Sequence, residues 1–333
     1  MTESEIILLT LAGGICIDLL LGDPPNKFHP VAWLGLLIKS FIPRLKVSTS
    51  ASRIFGYKQT TERSRAIVFC LSLIVVFGIA IQICAAVIMH LVGSIALIAF
   101  CVLILKITIA IKGMQKHAEA VMHALERSDL NNARFKLSMI VKRDTKNLDE
   151  QHIISGTIES IAENIVDGIT SPLFYYSFLG PAGAFSFRII NTMDSMIGYT
   201  DSYHRDIGWV PAMLDTASNY LPARITAIIV VIATMIVDAD WKKSIEILRR
   251  DHGKTSSRNA GYPMAAMAGA LRINLEKIGF YSLGDRCEDA SIEKCNVAIS
   301  IMKCTAIVFC IVVSAPLITI LDIAGWWKII FGF

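Results

Sequence analysis

Three carboxylates recur at four-residue spacing in the stretch TIESIAENIVDG, residues 157–168. On a helix, Glu159, Glu163 and Asp167 would therefore share one face. Like charges at that spacing repel one another by roughly a few tenths of a kcal/mol per pair. No Lys or Arg occurs between Lys146 and Arg188 to offset this repulsion. The acidic face therefore predicts a positively charged occupant.

Two further oxygen-rich clusters follow along the chain, NTMDSM around residue 193 and DTASN around residue 217. Carboxylate and amide oxygens suit a hard cation, and Mg²⁺ prefers one or two carboxylates together with phosphate oxygens. The predicted metal ligands are Glu163, Asn164, Asp167, Asp194 and Asp215. The alternative is a polar network that ties broken helices together, since unpaired polar groups beside membrane segments are costly.

Basic residues accompany these clusters in two motifs that could hold phosphates. In RDTKNLDEQH, residues 143–152, Arg143 and Lys146 are expected to face one another at i, i+3 on a helix. The stretch GKTSSRNAG, residues 253–261, is not a P-loop, because Leu248 stands where that motif needs Gly. A Ser/Thr-rich loop with Lys254 remains, and backbone N–H groups there can bind anions. A solvated helix surface and a plain surface loop are the alternatives.

A third motif, GDPPNKFHPV at residues 22–31, holds Asp23, Lys27 and His29 between prolines. A turn that ends a membrane span explains the prolines. It does not explain the three charged or titratable residues.

The composition indicates an all-α polytopic membrane protein. Hydrophobic residues make up 54% of the 333 residues and charged residues 18%, against about 45–50% and about 25% in soluble domains. Candidate spans are 6–21, 67–89, 94–111 and 305–321. Residues 165–190 and 225–237 are expected to be re-entrant or spanning, since Gly and Pro break the first of them. The polar segments between spans are expected to form helices at the cytoplasmic face, in a single membrane-embedded domain, 1–333.

Charge placement predicts orientation. The loop 39–65 carries seven Lys or Arg against the single acidic Glu62, and the positive-inside rule places such a loop in the cytoplasm. The net charge of +4 is thereby explained without a nucleic-acid partner. The amino terminus lacks a basic region typical of signal peptides, so the first apolar run is expected to be retained. The eight Cys form no Cys-x-x-Cys pair, which argues against a disulfide framework or a zinc site.

The ordered motifs resemble the adenosylcobinamide-phosphate synthases of cobalamin biosynthesis, which are membrane enzymes. The resemblance covers about residues 10–300 and rests on GDPPNKFHPV, RDTKNL, ESIAEN, DG-x-x-x-PLF, NTMDSMIGY, LDTASNYLPARIT and NAGYPMAAMAGAL. The chain departs from the common family pattern at Thr216, Arg258 and Met264.

The resemblance implies ATP-dependent joining of adenosylcobyric acid to aminopropanol phosphate, or a related amino-alcohol phosphate, by an ADP-forming ligase. ATP and Mg²⁺ would act as substrate and activator, with no permanently bound prosthetic group. The expected catalytic residues are Glu159, Glu163 and His152, and either His152 or a carboxylate of the acidic face would accept the amine proton. The expected nucleotide-binding residues are Arg143, Lys146, Arg188, Asn191, Lys254 and Asn259. Expected partners are the two substrates, the bilayer of the cell membrane and other late corrinoid-pathway membrane enzymes.

Two rival classes remain. An ion-coupled transporter would also use broken helices with intramembrane carboxylates, although the sequence contains no evident inverted repeat. A non-catalytic membrane scaffold would leave the acidic face without a purpose.

Overall fold

The computed structural model describes residues 2–47, 55–199 and 201–331, and these ranges are almost entirely helical. The helices are α1 (Glu3–Leu21), α2 (Pro30–Leu45), α3 (Phe55–Leu91), α4 (Ser94–Thr108), α5 (Ile111–Glu126), α6 (Leu130–Ser138), α7 (Glu150–Ile165), α8 (Ser171–Ile197), α9 (Trp209–Ser218), α10 (Tyr220–Ile236), α11 (Trp241–Asp251), α12 (Gly261–Leu271), α13 (Ile292–Phe309), α14 (Ala315–Ile323) and α15 (Trp326–Phe331). A 3₁₀ turn covers Asn26–Phe28, and π-helical turns cover Val166–Thr170 and Cys310–Ser314. Strands β1 (Leu275–Lys277) and β2 (Tyr281–Leu283) form an antiparallel hairpin. The predicted all-α class is confirmed.

Within the described ranges, four helical segments are long and apolar enough to cross a membrane: Glu3–Leu21, Gln59–Leu91, Ser94–Glu126 and Ile292–Ile323. The helices α9 and α10 meet at an angle of 43° and give a fifth crossing if they count as one broken span. On α3, the side chains of Val75, Ile79 and Ile83 are each more than half exposed. Their four-residue spacing places them on one face of the helix. This uncovered apolar face suits lipid, in agreement with the predicted polytopic membrane class.

The segment predicted to be broken, 165–190, lies within one long helical run. This run passes from α7 through the π turn Val166–Thr170 into α8. It kinks at Gly180, where φ is +60° and Pro181 follows. A Cβ at Gly180 would lie 3.1 Å from the Phe331 ring, so both the backbone angle and the packing favour glycine there. The kink separates the half of α8 that contains Pro172 from the half that contains Asn191.

Helix α7 lies at the centre of the main core. It packs against α5, α6, α12, α13 and β1. The side chains of Ile153, Ile158, Ile161 and Ile165 are fully buried between these neighbours. Apolar burial on nearly all sides fixes the position of α7, because core side chains pack at crystal-like density. The acidic residues on α7 are therefore presented by a rigid element.

The predicted helical pairing of Arg143 with Lys146 is wrong, because residues 141–149 are not helical. The Asp149 side chain accepts a hydrogen bond from the backbone N–H of His152 and so caps the amino terminus of α7. A helix must begin after its cap residue. The Thr145 hydroxyl donates to the Arg134 carbonyl and holds the extended segment against α6. In this segment Arg143 is partly buried, whereas Lys146 is exposed.

The basic segment 39–65, predicted to be a loop, includes the end of α2 and the start of α3, and its residues 48–54 lie outside the described ranges. Beside that gap, the Lys46 ammonium pairs with the buried Glu62 carboxylate over 2.8 Å. The one acidic residue of the loop is thus neutralised locally.

Candidate functional site

A cavity of about 1220 Å³ opens beside α7. Its walls come from α7, the π turn, α8, α9, the loop before α12 and the β hairpin. The polar lining residues are Lys142, Arg143, Glu159, Ser160, Glu163, Asn164, Asp167, Asn191, Asp194, Ser195, Asp215, Thr216, Asn219, Thr255, Ser256, Ser257, Arg258, Asn259, Lys277 and Tyr281. The three predicted oxygen-rich clusters therefore meet at one place.

Glu163, Asp167 and Asp194 crowd negative charge into this cavity. Burial, and then the charge of Glu159, raises the pKa of the Glu163 carboxyl. Burial, followed by Asp215, Glu163 and Asp194, raises the pKa of Asp167 well above its ordinary value. Burial and Asp215 raise the pKa of Asp194 to about 6. The Glu163 side chain is nonetheless open to the cavity.

Asp215 is held by two amides from different helices. Asn191 on α8 donates to its Oδ1 atom over 3.3 Å, and Asn219 donates to its Oδ2 atom over 3.1 Å. The Asn219 oxygen in turn accepts a hydrogen bond from the Ser171 hydroxyl. Asn219 is 2% exposed. It therefore serves the polar network that was the alternative to metal binding, and it fixes the orientation of the Asp215 carboxylate.

At another wall, Arg143 and Glu159 form an ion pair. The Nη2 atom of Arg143 lies 2.9 Å from Oε2 of Glu159. Neither of these buried atoms makes a well-directed hydrogen bond, so the contact is Coulombic and both retain hydrogen-bonding capacity. The arginine crosses α7 over Gly156, where a Cβ would lie 3.0 Å from Nη2. A glycine at this position therefore permits the close approach.

The loop between α11 and α12 closes a further side of the cavity. Asn259 donates to the Thr216 carbonyl over 2.8 Å and accepts from the Arg224 guanidinium over 3.2 Å. The Arg224 guanidinium lies 3.5 Å from the Tyr220 ring centroid and 4.4 Å from that of Tyr262. These contacts attach the Ser/Thr-rich loop to α9 and α10.

Four predicted site residues do not line the cavity. The His152 ring contacts Asp149 over 2.6 Å and lines a separate, smaller cavity with Glu276. Seven residues separate His152 from Glu159, which is about 10 Å along a helix. Lys146 is exposed, and Lys254 pairs with Asp251 over 2.6 Å.

The fourth, Arg188, lies behind the cavity wall. Its Nη1 atom donates to the Asn191 oxygen over 3.2 Å, while its buried Nε atom has no hydrogen-bond partner among the residues that the structure describes. Arg188 therefore supports Asn191 instead of lining the cavity.

Among the lining residues that sequence reasoning missed are two cations and a phenol, Lys142, Lys277 and Tyr281. Burial, and then the charge of Glu159, raises the pKa of the Tyr281 hydroxyl. Lys277 and Tyr281 belong to the β hairpin, whose three-residue strands carry no strong strand pattern. Lys142 directly precedes Arg143 of the basic motif, and this position is the sequence feature that could have indicated its role.

The oxygen atoms that line the cavity suit a metal ion that a substrate also binds better than a metal ion held by the protein alone. Across the described part of the chain, no group of three or more His, Cys, Asp or Glu side chains has the geometry to hold a metal ion alone. Mg²⁺ that arrives with a triphosphate needs only one or two protein carboxylates. Asp167 and Asp194 meet that requirement, because both face the cavity and repulsion disfavours their ionised forms without a cation.

The amino-terminal motif forms a buried ion cluster behind the site. The Lys106 ammonium lies 2.7 Å from the Asp23 carboxylate and 3.6 Å from that of Asp18. Asp18 also accepts hydrogen bonds from the backbone N–H groups of Ile111 and Lys112, at the start of α5. The motif therefore ends α1, as the span-ending turn requires. Its Asp23 contacts α4, while Asp18 within α1 contacts both α4 and the start of α5.

Fold and site together define a helical membrane protein with one large, charge-lined cavity on a rigid central helix. The chain belongs to the CobD/Cbib protein family, whose model matches residues 11–309. It is 39% identical over 317 residues to the "Probable cobalamin biosynthesis protein CobD" of Methanothermobacter thermautotrophicus, covering 95% of this chain and 99% of that relative. It is also 39% identical to the "Cobalamin biosynthesis protein CobD" of Leptospira interrogans, covering 85% and 89%. No solved structure matches.

Proposed function

We propose that this protein is a cell-membrane enzyme of cobalamin biosynthesis that joins adenosylcobyric acid to aminopropanol phosphate, or a closely related amino-alcohol phosphate. The reaction consumes ATP and yields adenosylcobinamide phosphate, ADP and phosphate. Membership of the CobD/Cbib family and the names of the relatives support the pathway. The observation that carries the activity is the convergence of five separate motifs on one cavity, which is lined by both carboxylates and cations.

The chemistry requires activation of an unreactive carboxylate. A carboxylate oxygen of the corrinoid attacks the terminal phosphorus of ATP, and ADP leaves with the electrons of the broken P–O bond. The amine nitrogen then attacks the carbonyl carbon of the acyl phosphate, and phosphate leaves. Phosphoryl transfer depends mainly on positioning and on neutralisation of charge. Bound Mg²⁺ would supply part of that neutralisation, with Asp167, Asp194 and Asp215 as the residues that would hold it.

The amine must lose a proton before it attacks. A base works best when its pKa lies near the working pH. Burial and the charge of Glu159 raise the pKa of Glu163 in that direction, and Glu163 is open to the cavity. His152 lies in the other, smaller cavity. Glu163 is therefore the better candidate for the base.

The site is proposed to face the cytoplasm, where ATP is available. The basic segment 39–65 supports this orientation through the positive-inside rule. The cavity and the amino end of α5 lie at the opposite end of α4 from the turn that joins α3 to α4.

The test uses purified protein in detergent with Mg²⁺ and ATP. Sustained ADP release should require both the corrinoid acid and the amino-alcohol phosphate, whereas the corrinoid acid alone should yield at most one ADP per enzyme molecule. With ¹⁸O in the corrinoid carboxylate, one labelled oxygen should appear in the released phosphate. Formation of AMP, or unlabelled phosphate, would exclude the acyl-phosphate route. Ion-coupled uptake into vesicles without amide formation would favour a transporter.

A further inference from the structure

At one end of the cavity Arg143 and Glu159 carry opposite charges, and each has an atom without a hydrogen-bond partner among the described residues. Arg143 Nη2 and Glu159 Oε2 are both buried and neither makes a directed hydrogen bond within the described chain. Glu159 is 7% exposed. Buried polar atoms are nearly always hydrogen-bonded, so such an exception calls for an explanation. Because both residues line the cavity, a ligand in the cavity can supply the missing partners.

Further cations surround this ion pair. Lys277 on the hairpin and Lys142 before Arg143 both line the cavity, and both charges act on Glu163. Arg143 and Lys277 therefore accompany Glu159 and Glu163 at this end, whereas the charge of Lys142 also acts on Asp194 and Asp215. Such a set complements a small ligand that carries a multiply charged anion and a single cation.

We propose that this end of the cavity binds the phosphate-bearing amine, with Arg143 and Lys277 holding the phosphate and Glu159 and Glu163 facing the ammonium group. The inference rests on the proposed function and deepens it by assigning the second substrate to a defined part of the cavity. Arginine suits the phosphate, because its planar N–H groups match phosphate oxygens in pairs.

The opposite end of the cavity suits the nucleotide. Asp167, Asp194 and Asp215 there provide oxygen ligands for a metal that accompanies a triphosphate. The loop 255–259 lies on the same side, because Asn259 donates to the carbonyl of Thr216, next to Asp215. At the Arg143 end, by contrast, the Glu159 carboxylate already pairs with a cation. The division therefore follows from direct pairing: within the described ranges Glu159 contacts a cation, whereas Asp167, Asp194 and Asp215 form no ion pair, although the charge of Lys142 acts on Asp194 and Asp215.

Glu163 lies between the two ends, since the charges of both Glu159 and Asp215 act on it. From there its carboxylate can take a proton from the ammonium group. The freed nitrogen lone pair then forms the bond to the acyl carbon, and the bond from that carbon to the phosphate oxygen breaks. The phosphate leaves with the electron pair, and the proton stays on Glu163.

The decisive measurement compares KM values for three substrates in purified wild type, Lys277→Ala and Arg143→Gln. Lys277 lies on a partly exposed hairpin, so its alanine variant should fold even if Arg143→Gln does not. We expect KM for aminopropanol phosphate to rise about tenfold or more, the size of one lost charged hydrogen bond. KM for ATP and for the corrinoid should stay within about twofold. The preference for phosphorylated over unphosphorylated aminopropanol should shrink in parallel.

The matched control is Lys242→Ala, on the exposed surface of α11, which should leave all three KM values unchanged. An unchanged preference for the phosphorylated amine in Lys277→Ala would overturn the inference. The proposed function would still stand in that case, provided that the wild-type protein turns over both substrates. A rise in the KM for ATP alone would instead assign this end to the nucleotide. Wild-type protein that releases no ADP with both substrates would remove the proposed function itself.

Discussion

Asn219 donates a hydrogen bond to the Asp215 carboxylate over 3.1 Å, and it does so at the 43° bend between α9 and α10. The same side chain accepts from Ser171 at the start of α8. One amide thus fixes a carboxylate of the cavity and ties the bent helix pair to α8.

Replacement of this amide should cost stability. In Asn219→Ala, the Ser171 hydroxyl and one Asp215 oxygen lose their partner in a site that is 2% exposed. Unpaired buried polar groups cost about 1–3 kcal/mol each. We expect a lower melting temperature in detergent and lower activity that added Mg²⁺ does not restore. Asn132→Ala, exposed on α6, is the control. An unaltered melting temperature would show that the network is unimportant.

Glu163→Gln should lower the activity without lowering the stability of the fold. A carboxyl with a raised pKa in the folded protein stabilises the fold at low pH and loses that contribution as pH rises. At neutral pH its charge is therefore unfavourable, and glutamine should leave the melting temperature equal or higher. Activity should fall by about 100-fold or more.

Mg²⁺ dependence and the pH profile then identify the role of Glu163. Partial recovery at high Mg²⁺ would assign it as a metal ligand, whereas loss of the acidic limb of the pH–rate profile without recovery would assign it as the base. Glu150→Gln, exposed in the first turn of α7, is the matched control. Normal turnover by Glu163→Gln would contradict both roles.

Asp251, which lies outside the cavity, allows the dependence of fold stability on pH to be tested. Despite burial, which acts in the opposite direction, the hydrogen bonds from Arg250, Lys254 and the backbone N–H of Gly284 lower the pKa of this carboxyl. A carboxyl whose pKa is lower in the folded protein than in the unfolded chain stabilises the fold at pH values above its unfolded-state pKa. This stabilisation disappears as the pH falls through the folded-state pKa. Asp251→Asn should therefore be less stable than wild type at pH 7 by about 3 kcal/mol.

Thermal unfolding across pH checks the sign. The difference between wild type and Asp251→Asn should be constant near neutrality and shrink below about pH 4. Asp289→Asn, an exposed carboxylate paired with Arg286, should show little difference at any pH. A gap that grows on acidification would refute the argument.

Orientation can be checked by single-cysteine labelling in a background without the eight native cysteines. Substitutions at Lys146 and Lys254 lie near the cavity end, and Val92 lies at the exposed turn between α3 and α4. We expect a membrane-impermeant maleimide to label the first two positions only from the cytoplasmic side and position 92 only from the outside. Reaction of position 254 from outside would invert the proposed arrangement.

The parts of the fold that were predictable are those with a strong local signal. The apolar runs predicted the membrane helices, and the four-residue spacing of Glu159 and Glu163 predicted their shared helical face. The non-helical segment 141–149 was missed, because its structure depends on the Asp149 cap and on a hydroxyl contact with α6. His152 could not be placed, since its cavity involves Glu276 on a distant hairpin. Lys277 reaches the main cavity only through that same tertiary packing.

The π turn at Val166–Thr170 makes the length of this segment matter as much as its composition. Each residue of an α-helix advances by about 100°, and a π turn accommodates an additional residue. Loss of one residue there would restore regular winding and leave the following helix nearly in phase with the preceding one. Loss of one residue from the regular turns between Glu163 and Asn191 has no such bulge to absorb it, and it would rotate Asn191 and Asp194 relative to Glu163 by about 100°, more than a quarter of a revolution. A sequence that retained every polar residue of the cavity could thus still lose the cavity through a change in helical phase alone.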